Sequence, residues 1–180
     1  IQNAGTLAGN LCNASPAADG VPCLLALNAE VDLASQSGMR RLPLAEFITG
    51  VRRTALRPDE LLVAIWFPRP PSDARSVFGK LGARRYLVIS IAMAAVTLEI
   101  VEQRIVSARI AVGACSPVAV RLAELEAAIA SAIIDADLED RIEPSHLAPL
   151  APIDDARGSA DYRRDVVLTL LRRLLRAAAS

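Results

Sequence analysis

The chain lacks a Gly-rich nucleotide signature. Neither GxGxxG nor GxxxxGK[ST] occurs in its 180 residues. That argues against a Rossmann or P-loop site, where closely spaced glycines at a strand–helix turn wrap a phosphate in backbone N–H groups. It also lacks an excess of either charge. Lys plus Arg and Asp plus Glu both number 20, so the basic footprint of a nucleic-acid binder is missing. Cysteine is scarce: Cys12, Cys23 and Cys115 are odd in number, far apart and without CxxC spacing. A disulfide framework and a zinc site are therefore not expected, and buried thiols are. The one histidine, His146, lies in a Pro144–Pro149 loop with no partner for triad or metal chemistry and is expected at the surface. No constellation suggests hydrolysis or nucleophilic catalysis. The longest apolar stretch, Tyr86–Leu98, is interrupted by Ser90 and Thr97; it is too short to span a bilayer and reads as a buried strand. With no initiator Met, basic n-region or apolar h-region, a secretory leader is not expected either. A cytoplasmic protein of one or two small domains is the reading that remains.

What is present begins at once. Ile1–Asp19 reads IQNAGTLAGNLCNASPAAD. Gly5 and Gly9 permit positive φ and let main-chain N–H groups approach a ligand. Thr6, Asn10, Asn13 and Ser15 add neutral donors and acceptors, and Asp19 can accept from hydroxyls. Such a loop suits a phosphate, a ribityl chain or a ring carbonyl, and the same composition also describes an ordinary turn.

The remaining chain is punctuated by Pro68-Arg69-Pro70-Pro71-Ser72, a candidate boundary. Before it, Pro16–Leu27 reads as a short helix. Asn28–Ala34 and Arg40–Pro43 read as a hairpin across Ser35–Met39, and Leu61–Phe67 as a strand. Val31 and Leu33 alternate with Asp32, as in a half-buried strand. After it, Leu87–Val101 and Arg104–Cys115 read as long strands joined near Glu102-Gln103. Ser116-Pro117 has the chemistry of a helix start, a cap worth about 1 kcal/mol. Val118, Leu122, Leu125 and Ile129 would then share one face. The last helix, Ala160–Ala178, stacks Tyr162, Val166, Leu170 and Leu174, flanked by Val167, Leu171 and Leu175. Asp161 and Asp165 at its start and Arg172, Arg173 and Arg176 at its end complement the dipole. Its basic side is read as the solvated face of a core-facing helix; a membrane, a partner groove or a dimer seam are the alternatives.

AGTLAGNLCNASPAADGVP resembles the second flavin-binding segment of the FAD-binding (medium) subunit of molybdenum hydroxylases, the family of xanthine dehydrogenase and carbon monoxide dehydrogenase. RTALRPDELLVAI (Arg53–Ile65), FGKLGARRYLVISIA (Phe78–Ala92), ARIAVGACSPVAVRL (Ala108–Leu122) and DDARGSADYRRDV (Asp154–Val166) resemble further segments of these subunits, in the same order. The resemblance implies an α+β chain. Residues 1–71 would be the second part of an FAD-binding domain with a mixed sheet, and residues 72–180 an antiparallel sheet domain with helices packed on one face. The Gly-rich segment with which family members wrap the FAD diphosphate has no counterpart here, so the chain is read as lacking the first half of that domain.

Carried over residue by residue, the cofactor-binding set is Thr6, Leu7, Ala8, Gly9, Asn10, Asp19, Leu62 and Lys80. Thr6–Asn10 would meet the flavin ring and ribityl region. Family members often have Ile at the place of Leu7 and Gly at that of Ala8; Leu7 keeps an apolar contact, whereas the Ala8 Cβ restricts positive φ. Asp19 would help hold FAD, Leu62 would pack on it, and Lys80 would lie near the isoalloxazine. A flavin that has taken up electrons gathers negative charge on its pyrimidine side, and an ammonium there stabilises it. Arg57, Arg84 and Arg85 could instead line a subunit contact. The implied function is electron transfer from [2Fe–2S] clusters on a small subunit through FAD to NAD or another acceptor, with the molybdenum cofactor on a large subunit. A non-catalytic docking module and a stand-alone flavin oxidoreductase are the alternatives.

Overall fold

The computed structural model describes residues 5–180. Helix α1 (Leu7–Asn13) and helix α2 (Gly20–Ala26) open the chain. Strands β1 (Glu30–Ser35) and β2 (Gly38–Pro43) then form a hairpin, tighter than the sequence suggested. The Ser35 hydroxyl oxygen accepts the Ser37 N–H at 3.2 Å, and Gly38 takes a φ of 137° that a side chain would resist. A single turn, α3 (Leu44–Phe47), and a small β3 (Ile48–Gly50)–β4 (Arg53–Thr54) ladder lead to β5 (Leu61–Trp66), which pairs antiparallel with β1. The first sheet therefore runs β2-β1-β5, and it is not the mixed sheet expected: every pairing in it is antiparallel, because β1 reverses directly into β2 and β5 returns against its other edge. Val31 and Leu33 are fully buried with Leu11, Leu44 and Phe47 in a core beneath α1 and α2.

Strands β6 (Ala74–Leu81), β7 (Ala92–Val101), β8 (Arg104–Gly113) and β9 (Val120–Arg121) make an antiparallel meander. The β7–β8 turn lies at Glu102-Gln103 as expected, both with positive φ (48° and 62°), the geometry that suits the twist of a two-residue hairpin. Helix α5 (Ala160–Ala179) covers one face: a Cβ on Gly79 of β6 would come within 3.0 Å of Leu174. Helix α4 (Ala123–Ile129) adds Leu125 and Ile129 to the same core. The opposite face meets α2, since a Cβ on Gly113 would meet Met93 Cε at 2.5 Å and Pro22 Cγ at 2.9 Å. The α+β class thus stands, with two cores sharing one sheet.

Several elements depart from the sequence reading. The opening loop is helix α1. Ser116-Pro117 starts no helix: Val120 and Arg121 are drawn into the sheet opposite Val112 and Ala111, while the Ser116 hydroxyl donates to Cys115 O and accepts the Ala151 N–H. The helix begins at Ala123, although Leu122, Leu125 and Ile129 are buried as the pattern required. Strand β7 begins at Ala92 rather than Leu87, whose φ is 49° and whose carbonyl takes the Arg84 guanidinium at 2.6 Å. The buried stripe of α5 is Arg163, Val167, Leu171, Leu174, Leu175 and Ala178, shifted from the Tyr162 row because Arg163 satisfies the Ile91 and Ala114 carbonyls and Asp155 beneath it. The basic end of α5 is tied down within the chain: Arg172 donates to Ile142 O, and Arg176 pairs with Glu139.

Candidate cofactor site

Thr6 caps α1. Its side chain accepts the Gly9 N–H at 2.9 Å, satisfying one of the donors that a helix start leaves free. Gly9 is helical, so its smallness serves a different purpose from the one expected: a Cβ there would sit 3.0 Å from Thr6 Oγ1. The Cβ of Ala8 is likewise no obstacle, since it lies inside the helix and needs no positive φ. Gly20 is the close-approach point between α1 and α2, where a Cβ would meet Leu7 Cδ1 at 2.8 Å. There Asn10 Oδ1 accepts the Gly20 N–H at 3.2 Å. Leu7 remains 49% exposed beside this junction.

Asp19, immediately before α2, meets the second sheet. Its Oδ2 accepts from Lys80 Nζ at 2.5 Å and its Oδ1 from the Ser90 hydroxyl at 2.9 Å. Lys80 also approaches Val88 O at 3.4 Å. Lys80 lies within β6, a strand the sequence reading did not foresee. It is the only lysine in a chain with 20 Lys and Arg residues. An ammonium is a compact point charge on a flexible stem, where arginine is a planar fork. Leu62 stands apart from this chain of contacts: it is half-buried on β5, packed on the core beneath α1. The structure thus brings Leu7 and Asn10 to Gly20, next to Asp19, and ties Asp19 to Lys80, while Leu62 packs on the core beneath α1.

Other ion pairs hold the first sheet. The Arg40 guanidinium, bonded to Glu60 at 2.6 and 2.8 Å, holds that carboxyl down at about 2. Arg41 grips Asp32 at 2.6 and 2.8 Å, lies 4.5 Å from the Trp66 ring centroid, and lowers the Asp32 pKa. Burial pushes the Cys115 thiol up to about 11 and raises Cys12 and Cys23 as well, so none is an activated nucleophile. His146 is half-buried rather than exposed, with Nδ1 accepting the Glu143 N–H at 3.0 Å in a single-turn cap. Among the described residues no cluster of His, Cys, Asp or Glu could hold a metal, and no helix is long and apolar enough to cross a membrane. Arg84 and Arg85 are engaged locally, Arg85 over the Tyr86 ring at 5.3 Å.

Residues 1–70 match the FAD binding domain in molybdopterin dehydrogenase, and residues 78–178 match the CO dehydrogenase flavoprotein C-terminal domain. The chain belongs to this flavoprotein family. It is 31% identical over 175 residues to the nicotine 6-hydroxylase medium subunit of Paenarthrobacter nicotinovorans, covering 97% of this chain and 61% of the relative. To the carbon monoxide dehydrogenase medium chain of Afipia carboxidovorans it is 29% identical over 178 residues, covering 99% and 62%. Reconstituted CO dehydrogenase from Oligotropha carboxidovorans superposes with a TM-score of 0.91 at 30% identity, over 97% of this chain and 61% of that one. Quinoline 2-oxidoreductase from Pseudomonas putida 86 gives 0.90 at 28%, over 99% and 61%. The chain therefore spans about 61% of the length of these flavoprotein relatives.

Two members of the site escaped the sequence reading. Gly20 carried no signal beyond being a glycine after Asp19. Ser90 did carry one: it is a polar residue inside an apolar run, and it is 2% exposed. A buried hydroxyl implies a partner, and the partner is Asp19.

Proposed function

We propose that this chain is the FAD-binding electron-transfer part of a molybdenum-containing hydroxylase or dehydrogenase complex. The observation that supports it most is the Asp19–Lys80 pair, adjoining the Gly20 junction with α1 where Leu7 is exposed, in a member of this family. The donor set fits FAD. Leu7 offers an apolar contact for a flat ring, Thr6, Ala8, Gly9 and Asn10 present short neutral groups, and the sole lysine supplies one positive charge. Asp19 anchors that charge, and Leu62 packs on the core beneath the helix that carries Leu7 and Asn10. Bound FAD would supply the redox chemistry, and the protein's part is to orient and polarise it.

In this reading residues 1–71 are the second part of the FAD domain and residues 72–180 a supporting domain. The complex is cytoplasmic, with two [2Fe–2S] clusters on a small subunit, the molybdenum cofactor on a large one, and NAD or another acceptor receiving the electrons. Nicotine, carbon monoxide and quinoline appear in the names of the relatives, and the identity of the substrate belongs to the molybdenum subunit. The test is the flavin content of the complex purified from its native gene. Stoichiometric FAD, lost on Lys80→Ala together with Asp19→Ala, is the expected result. A complex with Asn10, Asp19 and Lys80 intact and no FAD overturns the reading.

A further inference from the structure

Ser90 sits among apolar neighbours, Ile91, Ala92 and Met93, all buried. Alanine would fill such a place without a polar group to satisfy, and a buried hydroxyl costs free energy unless it is bonded. Its bond goes to Asp19 Oδ1 at 2.9 Å, while Oδ2 takes Lys80 Nζ at 2.5 Å. The two groups that hold the carboxylate flank one loop. Lys80 lies at the end of β6 and Ser90 just before β7, and the Ile91 N–H closes the base of the loop on Leu81 O at 2.7 Å. The Asp19 side chain is otherwise 46% exposed, free to change rotamer if nothing held it. A buried donor on one oxygen leaves the other aimed at the ammonium.

We propose that Ser90 is a positioning residue of the flavin site: its hydroxyl fixes the Asp19 carboxylate and, through it, the Lys80 ammonium where the cofactor is received. The proposal rests on the reading of Asp19 and Lys80 as flavin contacts. It assigns Ser90 no contact with the cofactor itself. The hydroxyl is what matters, so threonine can replace it and alanine cannot. The effect also runs only through Asp19, so removing the carboxylate altogether makes the hydroxyl irrelevant.

The experiment uses the complex purified from its native gene, as wild type, Ser90→Ala, Ser90→Thr, Asp19→Ala and the S90A/D19A double variant. Two quantities are measured: FAD affinity of the flavin-stripped protein, and the rate of reductive methylation at Lys80, read by mass spectrometry of the peptide that carries it. Ser90→Ala is expected to weaken FAD about tenfold, the scale of a hydrogen bond to a charged group, and to speed Lys80 methylation. Ser90→Thr is expected to restore both. In the D19A background, which has no acceptor left for the hydroxyl, the alanine change should be silent in both readings, because coupled residues are not additive. Wild-type affinity and wild-type methylation in Ser90→Ala overturn the proposal. So does an equal loss in Ser90→Thr, or an undiminished effect in the D19A background, since either makes Ser90 a packing residue. A wild-type protein with no affinity for FAD sinks the flavin reading itself, and the methylation rates still decide whether Ser90 governs Lys80.

Discussion

The two sheets are built alike and finished differently. In the second, β7 is buried over most of its length, with α5 on one face and α2 on the other. In the first, β5 has β1 as its neighbour among the described residues, and Leu61 and Val63 are 71% and 52% exposed. Trp66 and Phe67 continue the uncovered apolar surface. The second sheet is a platform that completes its own core. The first is a smaller layer laid across it through α2, and the candidate cofactor site forms at the seam, where Asp19 meets Lys80 and Ser90. A ligand gripped there touches both layers, so its affinity depends on how they are joined as well as on the contacts themselves.

The largest test of this contrast is Leu171→Ala in α5. Leu171 is fully buried, and the loss should be about 2–5 kcal/mol, seen as a lower urea midpoint for the whole chain. At the seam, Gly113→Val would force a side chain against Met93 and Pro22 and should cost about 1–3 kcal/mol. Hydrogen exchange should then quicken in α2 while α5 stays protected; an equal rise in both would erase the distinction between layers. Thr6→Ala removes the α1 cap and should cost about 1 kcal/mol, confined to exchange of the Leu7–Asn13 amides, with Thr6→Ser close to wild type.

Acid separates the layers in another way. Hydrogen bonds from Arg40, opposed by burial and aided by the Arg57 N–H, hold Glu60 at about 2 instead of 4.5. A carboxyl lowered on folding stabilises above its unfolded value, and that stabilisation disappears as pH falls through the folded one. Urea midpoints should therefore drop between pH 4.5 and about 2, and the drop should be smaller in Glu60→Gln. An unchanged slope would show that Glu60 does not anchor the first layer. The smallest effect is expected for Leu61→Lys on the open strand, within about 0.5 kcal/mol; a large loss would mean that β5 is not open.

Much of this was legible in the sequence, for identifiable reasons. Val31 and Leu33 declared their strand by alternation, Glu102-Gln103 marked a tight turn between two apolar runs, and the period of α5 was plain. Its buried stripe was not, because Arg163 is hydrophilic in isolation and becomes a core residue only where two carbonyls and Asp155 await it. Ser116-Pro117 misled for the converse reason: the local cap chemistry was sound, but pairing of Val120 and Arg121 with β8 outweighed it. Strand β6 was missed because Ala74–Leu81 carries Arg75, Ser76 and Lys80 along an exposed edge. At the site, the opening segment, Asp19 and Lys80 were named from resemblance, yet the loop proved to be a capped helix. Only the fold could bring Ser90 to Asp19, which lies 71 positions away.

The most direct test of the central claim uses the single lysine. Lys80 of the flavin-stripped complex should be methylated at a measurable rate, and added FAD should slow that rate in proportion to occupancy while adenosine diphosphate alone leaves it unchanged. Protection would place the flavin half of the cofactor beside Lys80. Equal rates with saturating FAD bound would put the cofactor elsewhere and contradict the account.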